Sequence, residues 1–152
     1  LEKVLEKKNL VWELVKYGIP ALFVAFLVYG FWNKGISGGI EVIGLWILIT
    51  GITSAIGALI SRAHILSCVT AFIVAPLTTL HPALASGWFA AYVEARFRKP
   101  KVGDFETLSK LGNYGDFQKN NVTHLVIVAA FTNLGSTAGV IIALPYLAKI
   151  IF

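Results

Sequence analysis

Long uncharged stretches separated by short polar breaks dominate the chain. The first runs from about Tyr17 to Trp32. A membrane-crossing helix needs about 20 mostly apolar residues. This stretch is short, but Tyr17, Tyr29, Phe31 and Trp32 lie near its ends, where aromatic side chains favour the membrane interface. Pro20 falls in its first turn, where a missing N–H costs little. Asn33–Gly39, with three glycines and Lys34, reads as a loop. A second stretch covers about Ile40–Ile60, and Arg62 and His64 then mark a tight turn. The following run, Ile65–Ala95, is too long for one crossing at about 1.5 Å per residue. Pro76 and Pro82 interrupt it, and His81-Pro82 divides it into two halves, either two short spans or a re-entrant hairpin. A last stretch covers about Val122–Leu147.

The pattern thus predicts an all-α, polytopic helical membrane bundle of about five membrane helices, including a Pro-broken helical hairpin. The expected helices are 17–32, 40–60, 65–80, 82–97 and 122–147. Residues 1–16 read as an amphipathic, charged lead-in from an upstream domain. Residues 98–121 read as a basic loop with a short helix near Asp104–Leu111.

Lipid offers helices no hydrophobic reason to associate, so close contact relies on small residues. Gly44, Gly51, Ala55 and Ala58 form one stripe of the second span, and Thr50, Ser54, Gly57 and Ser61 another. Two small faces on one helix call for protein neighbours on both. Ala83, Gly87, Ala90 and Glu94 share a face of the helix after Pro82. The last span carries Gly135-x-x-x-Gly139 beside Thr132, Ser136 and Ala143. Thr50, Ser54, Gly57 and Ile60 also recur as Thr132, Ser136, Gly139 and Ile142, each 82 positions on. Inverted repeats with broken helices mark transporters. The same residue types also recur wherever helices touch.

Composition narrows the class. Of 152 residues 57% are hydrophobic and only 14% charged, with a mean hydropathy of +0.75. A small soluble domain cannot hide that excess. Soluble enzymes, disordered regulators and disulfide-rich secreted domains are excluded. The lone Cys68 permits no internal disulfide, and the absence of methionine makes a piece of a longer protein the expectation. The net charge of +5 fits basic loops on one membrane side better than nucleic-acid binding. With the N-terminus inside, eleven Lys and Arg (Lys3, Lys7, Lys8, Lys16, Arg62, Arg96, Arg98, Lys99, Lys101, Lys110, Lys119) fall inside, and only Lys34 and Lys149 outside. The expected topology is a multi-pass integral membrane protein with its C-terminus outside.

Ionisable and amide groups within the spans are the functional candidates. His81 could bind a metal, carry a proton or cap a substrate site, or be a turn residue at a hairpin tip. Glu94 could be a coupling carboxylate, or pair with Arg98 four residues on. Asn133, beside Thr132 and near Ser136, either bonds across helices or faces a cavity. His64 and His124 read as interfacial. Gly51, Ala55, Gly57, Gly87, Gly135 and Gly139 are the packing candidates. No H-E-x-x-H, C-x-x-C, G-x-S-x-G or P-loop occurs, so no catalytic residue is assigned.

The run Ala75-Pro76-Leu77-Thr78-Thr79-Leu80-His81-Pro82, then Gly87-Trp88, Val93-Glu94-Ala95 and Arg98-Lys99-Pro100-x-Val102-x-Asp104-Phe105, resembles the C-terminal membrane region of the TraB/PrgY family. Thr132-Asn133-Leu134-Gly135-Ser136 resembles that family's last-span motif. The family more often has asparagine at the His81 position, which speaks against a metal role there. The resemblance implies an N-terminal soluble domain related to Tiki metalloproteases, with G-x-x-H motifs; bacterial members are named for pheromone shutdown. No histidine here has glycine three residues before it. The expectation is therefore an anchor and assembly domain without cofactor. Its partners would be the lipid bilayer, its upstream soluble domain and further copies of itself in a homo-oligomer, with no nucleic acid. The alternatives are a transporter or channel module for a peptide or ion, and a membrane-embedded protease.

Overall fold

In the computed structural model, residues 2–81 and 84–151 are described, with residues 2–16, 19 and 151 described as helical backbone only. All secondary structure among the described residues is helical: α1 Glu2–Ile60, α2 Ile65–Thr78, α3 Ser86–Arg98, α4 Val102–Glu106, a 3-10 turn Leu108–Lys110, α5 Tyr114–Lys119 and α6 Asn121–Ile151.

The expected loop at 33–39 shrinks to one residue. Gly35, at φ 66° and ψ −155°, is the non-helical position that joins the two arms of α1. Positive φ suits glycine, which lacks the Cβ that obstructs it. The arms fold back on each other: the Phe23 and Trp46 rings lie 4.6 Å apart. Near the bend, a Cβ at Gly38 would strike the Gly30 carbonyl, and one at Gly39 the Phe31 ring. Glycine, rather than a longer loop, lets the arms turn this tightly.

The 36–60 arm of α1 packs on α6, which runs antiparallel to it. Lys34 Nζ at the bend donates to the Ile150 carbonyl at 2.7 Å. Further along, Val42, Trp46 and Phe23 bury against Val140, Ala143 and Leu147. Trp46 Nε1 also donates to the Pro76 carbonyl at 3.2 Å, tying α1 to α2. The two small stripes of the second span have different neighbours. Gly51 faces Phe72 of α2, while Gly57 lies against Phe131 and Thr132 of α6. Gly44, by contrast, has open space beside it, and Ala55 is half-buried.

The split of the long apolar run lies at 79–85, between α2 and α3. Pro82 and Ala83, and with them the expected helix start at Pro82, fall outside the described residues, as do the faces of the 1–16 lead-in. The 98–121 segment is more ordered than the expected loop, with two short helices and a 3-10 turn. Asp104 organises it: its Oδ2 accepts the Lys101 N–H at 2.8 Å and the Asn121 amide at 3.1 Å. Asn120 reaches the Asp104 carbonyl at 2.7 Å. The segment is thereby clasped to the start of α6.

Candidate functional site

Two buried polar clusters lie along the bundle, one neutral and one ionisable. The neutral one sits where α1, α3 and α6 meet. Ser86 and Ser136 hydroxyls are 2.5 Å apart, Ser136 donates to Ser54 at 3.0 Å, and Ser54 reaches the Thr132 carbonyl at 3.4 Å. Ser136 also reaches the Thr132 carbonyl at 3.1 Å, so with one proton per hydroxyl the three serines pass their hydrogen bonds around the cluster and on to that carbonyl. Glycines permit the approach. A Cβ at Gly135 would strike the Thr53 carbonyl, one at Gly57 the Phe131 carbonyl, and one at Gly87 the Ala129 carbonyl.

The 82-residue pattern acquires a spatial meaning here. Ser54 contacts Ser136, Gly57 packs on Thr132, and Gly139 packs on Thr50. Three of the four matched positions meet one another reciprocally across the antiparallel pair, while Ile60 and Ile142 are exposed, so the polar and small part of the pattern serves their mutual contact.

Asn133 both bonds across helices and lines a cavity. Its Oδ1 accepts the Gly87 N–H at 2.8 Å. The cavity holds about 390 Å³, bounded by Thr78, Thr79 and Ser86 on the broken hairpin and by Asn133, Ser136 and Thr137 on α6. Thr132 is fully buried, and its hydroxyl has no hydrogen-bond partner among the described residues. His81 is exposed, in a turn closed by bonds to Thr78 and from Leu84, and does not line the cavity.

The ionisable cluster lies at the far end from Lys34. Glu94 on α3 is 3% exposed. Its Oε2 accepts the His64 N–H at 2.7 Å and the Ser67 hydroxyl at 2.8 Å, so it sits at the N-terminus of α2. A helix N-terminus offers unpaired N–H groups and a favourable dipole to a carboxylate. Its Oε1 lies 3.3 Å from His124 Nε2 and 3.7 Å from Arg98 Nε. The Arg98 pair read from sequence is thus one of four contacts, and the longest. His124, on α6 near the same end, is fully buried within the bundle. Its Nδ1 is 2.8 Å from Gln118 Oε1. The His64 ring, exposed at the turn, stacks on Phe97 at 3.9 Å between centroids. The i+4 series His124, Val128, Thr132, Ser136 on α6, all buried, is the sequence signal that marks His124 as inward-facing.

Ala58, Cys68, Ala71, Ala90 and Val128 form a dry layer of their own. On α6, Val128 stands one turn from His124 and one from Thr132, so this layer parts the two clusters. Among the described residues no three His, Cys, Asp or Glu side chains gather as a metal site.

The fold and its sites define an all-α helical bundle containing two helices long and apolar enough to cross a membrane, Pro20–Ile60 and Asn121–Ile150. The chain belongs to the TraB family, matching the TraB family protein C-terminal domain over residues 11–152. It is 31% identical over 147 residues to an uncharacterized protein of Methanocaldococcus jannaschii, covering 92% of this chain but 36% of that relative. No solved structure matches it.

Proposed function

We propose that this chain is the membrane-embedded anchor and assembly domain of a TraB-family protein, multi-pass with its N-terminus inside. The observation that carries the reading is its inverted polarity. Ile52, Ile56, Leu59, Val126, Leu134 and Ile141 face outward, while Thr50, Ser54, Ser67, Ser86, Thr132 and Ser136 are buried. Water would not leave that exterior bare, whereas lipid would. The bend at Gly35 divides the long apolar part of α1 into two crossings, and α2, α3 and α6 supply the rest. Lys34 beside Ile150 at one end, and Arg62, Arg98 and the 98–121 segment at the other, fit the charge-based orientation. In this reading the bundle needs no cofactor. It holds the family's peptidase-like domain at the inner membrane face and pairs with further copies of itself.

The test fuses a soluble reporter to the N-terminus and expresses it in a bacterial host. The anchor reading expects the reporter to stay with membranes through alkaline carbonate washing and to be protease-sensitive only in inverted vesicles. Release by carbonate, or cleavage from the outside, refutes it.

The cavity between the broken hairpin and Asn133 favours a second reading, a transport or channel module for a peptide or ion. Under it, proteoliposomes pass potassium or a short apolar peptide, and Asn133→Ala abolishes flux while the protein still folds. No flux through the wild type sinks this reading.

A further inference from the structure

A run of polar contacts leads from Tyr114 through Gln118 and His124 to Glu94. Gln118 Nε2 donates to the Tyr114 hydroxyl at 2.8 Å, and in this amide orientation Gln118 Oε1 is the atom next to His124. A carbonyl oxygen can only accept, so His124 Nδ1 carries the hydrogen of that 2.8 Å contact. In a neutral imidazole the other nitrogen, Nε2, is then bare. Nε2 is fully buried, has no hydrogen-bond partner among the described residues, and lies 3.3 Å from Glu94 Oε1. A bare ring nitrogen and a carboxylate oxygen this close together and away from water are costly unless a proton is held between them.

We propose that Glu94 and His124 form a proton-binding site, one dissociable proton being shared between Glu94 Oε1 and His124 Nε2 at the inner end of the bundle. On binding, a proton from water bonds to Nε2 and is hydrogen-bonded by Oε1; on release it returns to water, and no other bond changes. Several elements surround the pair. From the α1–α2 turn and α2 come the His64 N–H and the Ser67 hydroxyl, both on Glu94 Oε2, and these favour the carboxylate. The Cys68 thiol on α2 also feels the Glu94 charge. From α3, Arg98 stands 3.7 Å from Oε1 and opposes a second positive charge. From α5, Gln118 fixes the tautomer. Loss of the proton leaves the pair short of the bond joining α3 to α6, so occupancy bears on how those helices pack. The site stands apart from the anchor and transport readings, since neither needs it.

The experiment places the full chain, labelled with 15N-histidine, in phosphatidylcholine nanodiscs. Ring-nitrogen signals are followed from pH 5 to 8, and His64→Gln and His81→Gln assign the other two rings. His124 is expected to keep Nδ1–H throughout and to gain and lose the Nε2 proton within that window. Glu94→Gln should lower its proton affinity about tenfold or more, and Arg98→Gln, which leaves the α2 tie intact, should raise it several-fold. Should Glu94→Gln fail to fold, the Arg98→Gln shift alone decides. A neutral His124 carrying Nε2–H at every pH overturns the proposal, as does a titration that the folded variants leave unmoved.

Discussion

The two buried clusters solve the problem of hiding polar groups in different ways. Around Ser54, Ser86 and Ser136 every group is neutral and short, and glycines on the facing helices bring the hydroxyls within reach of each other. The groups need nothing from outside the three helices. Around Glu94 the charge is met by parts of several elements: a backbone N–H at the α1–α2 turn, a serine of α2, an arginine one turn along α3, and a histidine of α6. A neutral network can be local because each lost hydrogen bond is small, whereas a buried charge must be compensated from several sides at once. The neutral cluster is thus a packing device. The ionisable one is a junction.

That contrast can be broken most severely at the junction. Glu94→Ala strips the acceptor from the His64 N–H and Ser67 and leaves buried His124 facing a hole. We expect a loss of about 3–5 kcal/mol, or no folded protein, in detergent unfolding curves followed by tryptophan fluorescence. If the loss is under about 1 kcal/mol, the junction is solvated and the contrast collapses. Next comes the glycine contact. Gly135→Val places methyl groups against the Thr53 carbonyl and the Ser54 backbone, which cannot retreat like a side chain, and should cost about 1–3 kcal/mol. Trp46→Phe keeps most of the ring contact with Phe23 and deletes the bond to the Pro76 carbonyl, for about 0.5–1.5 kcal/mol in the same assay. Ser136→Ala should be milder still, about 0.6 kcal/mol, because Ser54 keeps the Thr132 carbonyl as acceptor. A loss on the scale of Glu94→Ala would show the neutral cluster to be more than packing.

The smallest effect expected is at the clasp. The Lys101 N–H, and after it the Asn121 amide, hold the Asp104 carboxyl below the usual carboxylate range. A depressed value in the folded state means that Asp104 contributes stability above the ordinary range, near pH 4, and loses it as pH falls through its lower folded value. Limited proteolysis of the 98–121 segment should therefore accelerate only in acid. Asp104→Asn should make cleavage fast at neutral pH and flatten that dependence. Equal rates for both proteins at all pH values would mean that the carboxylate does not organise the segment.

Much of the helical layout was readable along the chain because hydrophobic length and prolines act locally. The break between Thr78 and Ser86 follows from Pro76 and from His81-Pro82 at its centre, and the end of α1 from Arg62 and His64. The loop at 33–39 was misjudged for a physical reason. Glycine-rich sequence reads as flexible linker, yet Gly35 alone takes the turn while Gly30, Gly38 and Gly39 serve the close approach of two helical arms. That His124 is buried was not read along the chain, because its depth within the bundle depends on which face of α6 meets α3. A position near a helix end says nothing about that face. The packing glycines were legible by spacing, but Gly44 shares a stripe with Gly51 and has no neighbour.

The residues alone determine an all-α chain, its long apolar stretches and its family, since each depends on composition or on patterns within a few turns. Only the tertiary structure decides that residues 82 apart meet through Ser54 and Ser136, and that Glu94 belongs to the start of α2 and to His124 more than to Arg98. Periodicity shows which side of a helix is small or polar. Which helix lies against that side, at which height and in which direction, is set when several such faces are satisfied together.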